Sequence, residues 1–352
     1  MVGADGAIAL PWLAEPLQRA LREQRSHALL VHGPGGVGQF ELALGLAQGW
    51  LCEVDAGAAG DARRPCGRCA ACHLVRARSH PDLLVLVPEA LRAALGWEPD
   101  GEGEEGGDKA SKAKPSKEIK VEAVRAAVAF AQTTSARGRG KVVVLHPAER
   151  MNGISANTLL KTLEEPPGDA RFVLSSAAPD ALLPTIRSRC QAVTLALPET
   201  AVATEWLRTQ GVADPALLLA AAGGQPQDAL AWSRDGLTDA ASWAQLPGLV
   251  ARGAAGALSG WPLPLLIESL QKLCHDALCV AAGAAPRYFP ADAIARLRLP
   301  PDAAVALHAW QRELQRTARH AEHPWNATLL AESLIEQGRA ALAAPARDAA
   351  RP

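Results

Sequence analysis

Leu29-Leu30-Val31-His32-Gly33-Pro34-Gly35-Gly36-Val37-Gly38-Gln39-Phe40 decides the fold class. Its first four residues are an apolar run of strand length, which stops at Gly33, Gly35, Gly36 and Gly38. Leu42, Leu44, Leu46 and Ala47 then continue as apolar, helix-favouring chain. Strand, glycine loop and helix in that order is the frame in which backbone N–H groups wrap phosphates at a helix N-terminus. A glycine-rich turn without a ligand uses the same residues, so the side chains must decide. Gln39 stands where a phosphate loop carries the lysine that reaches the β- and γ-phosphates, and Phe40 where it carries the hydroxyl that holds Mg²⁺. Losing both is expected to remove most nucleotide affinity and all hydrolysis, so no ATP is expected as a cofactor.

Outward from this stretch, Leu83 to Val87, Lys141 to Leu145 and Arg171 to Ser175 are further strand candidates. Their apolar runs are continuous, not alternating, which implies strands covered on both faces, as in a parallel α/β sheet. After the run ending at Leu145 an active ATPase would place acidic residues, for Mg²⁺ and for the attacking water. His146 and Pro147 stand there instead. From about Pro198 strand signals nearly vanish. Leu307, Trp310 and Leu314 fall at helical spacing, Trp325, Leu329 and Leu330 suggest a last helix, and Gly223-Gly224 marks a helix-to-helix turn. The stretch from Pro247 to Pro264 reads as a boundary. The expected fold class is therefore α/β plus all-α.

With 352 residues the chain is long enough for two or three domains. Lys+Arg 36 against Asp+Glu 37 leaves a net charge of -1, so there is no global basic field of the kind that marks a stand-alone nucleic-acid binder. The apolar stretches are too short to span a bilayer, and Met1 to Leu13 has no basic region ahead of an apolar run. A cytoplasmic protein with no membrane partner is expected. Residues 98–117 carry Glu98 to Asp108 among glycines and then Lys109 to Lys117, a solvated insertion to which no function is assigned.

Seven cysteines in a reducing compartment favour metal binding or free thiols over disulfides. Cys66, Cys69 and Cys72 have Cys-x-x-Cys-x-x-Cys spacing, and Cys52 precedes them across a loop. Two-residue gaps let successive thiolates turn onto one metal, and four of them close a structural tetrahedral Zn²⁺ site with no open position. An iron-sulfur cluster uses the same ligands, and His73 or His80 could replace a cysteine. Cys274 and Cys279, on a helical stretch, read as core thiols, and His275 as a surface or hydrogen-bonded histidine.

Asn157-Thr158-Leu159-Leu160-Lys161-Thr162-Leu163-Glu164-Glu165-Pro166-Pro167, followed by Ser188-Arg189-Cys190, closely resembles the signature of bacterial clamp-loader subunits of the AAA+ class. Ser26 to Leu30, the cysteine module, His80-Pro81-Asp82 and, more weakly, His323-Pro324-Trp325-Asn326 extend the resemblance over nearly the whole chain. It implies a RecA-like AAA+ domain over 1–197 carrying a zinc module at 52–72 and the insertion at 98–117, a helical lid over 198–246, and a helical collar domain over 247–352, through which five subunits form an open ring. It further implies gamma or tau and delta subunits as partners, and the sliding clamp and primed DNA through the complex. Arg189 then resembles an arginine finger supplied to a neighbouring ATP site. On the hexapeptide Thr185 to Cys190 alone a solvated or salt-bridged arginine is the preferred reading. Gln227 takes the lid's sensor-arginine position, a third loss beside Gln39 and Phe40. The expectation is a non-catalytic subunit within the DNA polymerase III holoenzyme. The alternatives are an active gamma-type ATPase and a zinc-dependent DNA-binding protein.

Overall fold

The computed structural model describes residues 1–54, 63–97, 114–236, 239–258, 260–300, 302–320 and 326–343. Most of the charged insertion and His323-Pro324-Trp325 lie outside the described residues. The chain divides into two compact units, Met1–Val202 and Ala203–Pro352.

The first unit is built on five parallel strands, β1 (Ala28–His32), β2 (Leu83–Leu86), β3 (Val142–Leu145), β4 (Arg171–Ser176) and β5 (Gln191–Thr194), in the order β2-β3-β4-β1-β5. The register pairs Leu30 with Leu174 and with Ala192, and Val144 with Val173. The four apolar runs read from sequence are strands, and β3 is buried at every position. β5 was not expected. It is an edge strand in which only Val193 is buried, so its polar residues hide the apolar signal that marks the central strands.

Among the described residues this unit also holds the α-helices α1 (Ala14–Glu23), α2 (Gln39–Leu51), α3 (Ala70–Arg76), α4 (Glu89–Leu95), α5 (Val121–Gln132), α6 (Gly153–Glu164) and α7 (Pro184–Arg187). On one sheet face Leu30, Leu86, Val143, Leu145, Phe172 and Leu174 pack with Val124 and Ala127 of α5 and Leu159 and Leu163 of α6. α2 packs on β3 and β4 and is buried nearly all round, which places the residues that open it, Gln39 and Phe40, inside the domain. Asn152 caps α6, its side chain accepting from the Ser155 N–H at 3.0 Å.

The second unit is helical. After α8 (Thr200–Thr209) come α9 (Pro215–Ala221), α10 (Pro226–Arg234), α11 (Ala240–Ala251), α12 (Leu263–Ala281), α13 (Ala291–Ala295), α14 (Ala303–Ala318) and α15 (Ala327–Leu342). Gly223 and Gly224, both at positive φ, make the turn from α9 to α10. α12, α14 and α15 pack on one another, and Leu307, Trp310 and Leu314 of α14 are buried as core. α15 buries Leu334, Ile335, Ala341 and Leu342, whereas Leu329 is 61% exposed and belongs to no core stripe. Pro247 lies inside α11. Cys274 is buried, but Cys279 is only half-buried, because it lies on the flank of α12 beside His275. His275 is 42% exposed and hydrogen-bonded to Asp276, as a surface histidine should be.

Candidate functional site

Phosphate loop. The loop from Gly33 to Gly38 joins β1 to α2, and Gly38 precedes α2 at φ +98, a conformation that glycine adopts freely. A Cβ there would also stand 2.5 Å from Leu10 Cδ1. The loop's interior is taken by its own chain. Gln39 is 5% exposed, and its amide donates to Gly33 O at 3.0 Å and to Pro34 O. A lysine's ammonium would have pointed at phosphate; the shorter, neutral amide turns back to satisfy loop carbonyls. Phe40 stacks on His146, ring centroids 4.7 Å apart, and meets Trp97 edge-on at 6.2 Å. An apolar ring against an imidazole thus stands where the sequence frame calls for a hydroxyl and an acid. The imidazole's Nδ1 is 2.9 Å from Ser175 Oγ on β4. Burial pushes the His146 pKa down to about 4, so the ring is neutral at pH 7.

This burial predicts a pH dependence with a definite sign. The folded ring refuses a proton that the unfolded chain accepts below its ordinary value of about 6.5. His146 therefore costs no stability above that pH, and an increasing amount as pH falls towards 4, up to about 3 kcal/mol. Urea unfolding at pH 7 and pH 4.5 should show His146→Phe losing less stability on acidification than the wild type. Equal losses would contradict the assignment.

Arg189. The turn after α7 carries Ser188, Arg189 and Cys190 into β5. Arg189 donates from Nε to Glu164 Oε1 at 2.7 Å, from Nη2 to the same oxygen, and from Nη1 to Thr185 O at 2.8 Å. Its side chain is 29% exposed. The resemblance singled out Arg189; its contact with Glu164 joins residues 25 apart, the end of α6 and the turn after α7, and no local sequence pattern reports it.

Cysteine cluster. The structure brings Cys52, Cys66, Cys69 and Cys72 together, with their four sulfurs all within 4.8 Å of one another. Cys52 Sγ is 3.9 Å from Cys69 Sγ, and Cys66 Sγ is 4.0 Å from Cys72 Sγ. Sulfurs about 2.3 Å from a shared tetrahedral zinc would be about 3.8 Å apart. So close a set has room for one ion and not for a cluster in which separate irons take separate thiolates. Neither His73 nor His80 joins it among the described residues. Backbone N–H groups of Cys69 and Cys72 point at the sulfurs of Cys66 and Cys69, both at 3.4 Å, as suits thiolates. With only protons to share, the pair Cys52 and Cys72 splits: their mutual hydrogen bond draws Cys52 down to about 4 and pushes Cys72 up. These donors fit a metal ion.

The module is built in from three sides. Cys52 ends α2, Cys69 caps α3, and Cys72 lies in its first turn. Gly67, between Cys66 and Cys69, has φ +71, and a Cβ there would lie 1.9 Å from Gly3 O. Gln48 of α2, fully buried, accepts from Val2 N at 2.7 Å and donates to Val2 O at 3.0 Å, stitching the first residues to the helix that leads to Cys52.

His80-Pro81-Asp82 proves to be a structural clasp. Asp82 is fully buried and pairs with Lys141 Nζ at 2.9 Å. It also accepts from the N–H groups of Ala136 and Arg137 and from Ser135. Burial pushes the carboxyl up, but these donors and Lys141 outweigh it and hold Asp82 below its ordinary value. Lys141 opens the apolar run read as a strand and stands just before β3. The link runs from the start of β2 to the chain entering β3.

A five-stranded parallel sheet in this order, with a glycine loop opening the helix after β1, defines the RecA-like domain of the AAA+ class. Residues 11–199 match the family described as "DNA polymerase III, delta subunit". The chain is 40% identical over 221 residues to DNA polymerase III subunit delta' of Pseudomonas aeruginosa, covering 60% of this chain and 58% of that protein. Against subunit delta' of Escherichia coli (strain K12) it is 30% identical over 283 residues, covering 74% and 76%. The chain belongs to the DNA polymerase III subunit delta' family. Its alignments with the Pseudomonas aeruginosa and Yersinia pestis relatives span only 58% and 52% of those proteins. Subunit tau of Escherichia coli is 34% identical over 164 residues, 47% of this chain and 20% of tau. A solved gamma subunit-related protein from Thermotoga maritima aligns with 94% of this chain and 99% of its own at 17% identity and a TM-score of 0.45. No helix among the described residues is long and apolar enough to cross a membrane.

Proposed function

We propose that this chain is a non-catalytic delta' subunit of a clamp loader, which holds its place in the ring and supplies Arg189 in trans to a neighbouring ATPase subunit while the complex sets a sliding clamp on primed DNA. In this reading the partners are gamma or tau and delta subunits, residues 198–246 form a lid and residues 247–352 a collar, the cysteine module holds structural Zn²⁺, and the protein works in the cytoplasm.

The observation that carries the proposal is the occupied phosphate loop. With Gln39 bonded to the loop's own carbonyls and Phe40 stacked on a neutral His146, the lysine that would reach triphosphate is replaced by an uncharged amide, and the oxygen ligands that Mg²⁺ takes are replaced by a phenyl ring and an imidazole. Arg189 needs no nucleotide of its own, because an arginine finger acts on charge developing in another subunit's site. Gln227, at the second position of α10, supplies no cation at the sensor position.

Equilibrium titration of the isolated chain with ATP and Mg²⁺ tests this directly. No saturable binding and no phosphate release are expected up to millimolar nucleotide. Tight binding with turnover would contradict the proposal and favour the active gamma-type ATPase.

A further inference from the structure

We infer that Glu164 is the positioning residue for Arg189. The inference rests on the arginine-finger reading and adds to it the group that aims the finger.

A guanidinium has five N–H donors. Arg189 spends three inside its own chain: Nε and Nη2 on Glu164 Oε1, and Nη1 on the Thr185 carbonyl. One N–H on each terminal nitrogen is left over. Glu164 takes the side of the fork formed by Nε and Nη2, so each terminal nitrogen keeps one N–H that a phosphoryl group can accept. The side chain stays 29% exposed, and Glu164 is 47% exposed. An ion pair this open contributes little to folding. Its consequence is geometric. A free arginine samples many rotamers, and each must be given up when the finger engages; a carboxylate and a carbonyl that already fix the plane remove much of that cost.

Both partners come from rigid places. Glu164 is the last residue of α6, whose inner face carries Leu159 and Leu163 in the core. Thr185 belongs to α7, anchored by buried Ile186. The finger is thus referenced to the sheet through two helices.

The test is ATP hydrolysis by a reconstituted loader carrying wild type, Glu164→Gln, Glu164→Asp, Arg189→Ala or the double variant Glu164→Gln/Arg189→Ala. Glu164→Gln should lower kcat about three- to tenfold with KM for ATP unchanged. Glu164→Asp should recover part of the loss. The double variant should be no slower than Arg189→Ala alone, since the two act as one unit. The melting midpoint of the isolated Glu164→Gln chain should stay within a degree or two of wild type. If Arg189→Ala is slow while Glu164→Gln runs at or above the wild-type rate, Glu164 does not position the finger and the inference falls alone. If Arg189→Ala itself hydrolyses normally, the finger reading falls and takes this inference with it.

Discussion

Replacing Arg189 with alanine in the reconstituted complex should lower turnover at the neighbouring ATP site proposed for it by about 10³- to 10⁵-fold, the usual worth of an arginine finger. The size follows from the transition state. Charge spreads over the equatorial oxygens of the transferring phosphoryl group, and a planar cation fixed in place offsets it without reorganising. Arg189→Lys should rescue little, because an ammonium is a point charge without the fork. The isolated variant should fold normally, since its intrachain contacts with Glu164 and Thr185 lie at the surface. A variant complex with a normal rate would make Arg189 an ordinary surface ion pair.

The second large effect is expected at the cysteine module. Purified chain should carry one zinc, and stripping it with a strong chelator, or replacing Cys69 with alanine, should remove binding energy on the order of 10 kcal/mol that is coupled to folding. Even a third of that, felt by the first unit, would lower the melting midpoint by about 10 °C. The damage should spread beyond the loop, because Cys52 ends α2 and Gln48 on the same helix holds Val2. Chelator-insensitive melting of a chain without metal would show instead that the four thiols pack without an ion.

The sequence was most readable where both faces of an element are covered. β1, β3 and β4 are continuous apolar runs because the sheet buries them on two sides, and the spacing of Cys66, Cys69 and Cys72 announced a cluster that the fold completes with Cys52. β5 escaped notice because an edge strand needs only Val193 inside. Leu329 marked the last helix by its spacing, but on α15 it faces outward at the first turn. Within the site, Gln39 and Phe40 could be placed at the loop's end from sequence, but what they pack against could not. The stack of Phe40 on His146, the clasp of Asp82 on Lys141 and the hold of Glu164 on Arg189 each join segments far apart in the chain. Such pairs are made by the sheet order and not by any local pattern.

The proposed subunit binds no nucleotide of its own yet is needed by subunits that do. The direct measurement is ATP-driven loading of a sliding clamp onto primed DNA by gamma or tau and delta subunits, with this chain omitted, present as wild type, or present as Arg189→Ala. Loading is predicted only with the wild-type chain, omission and the variant both leaving it severely slowed. Equally fast loading in all three mixtures would contradict the account.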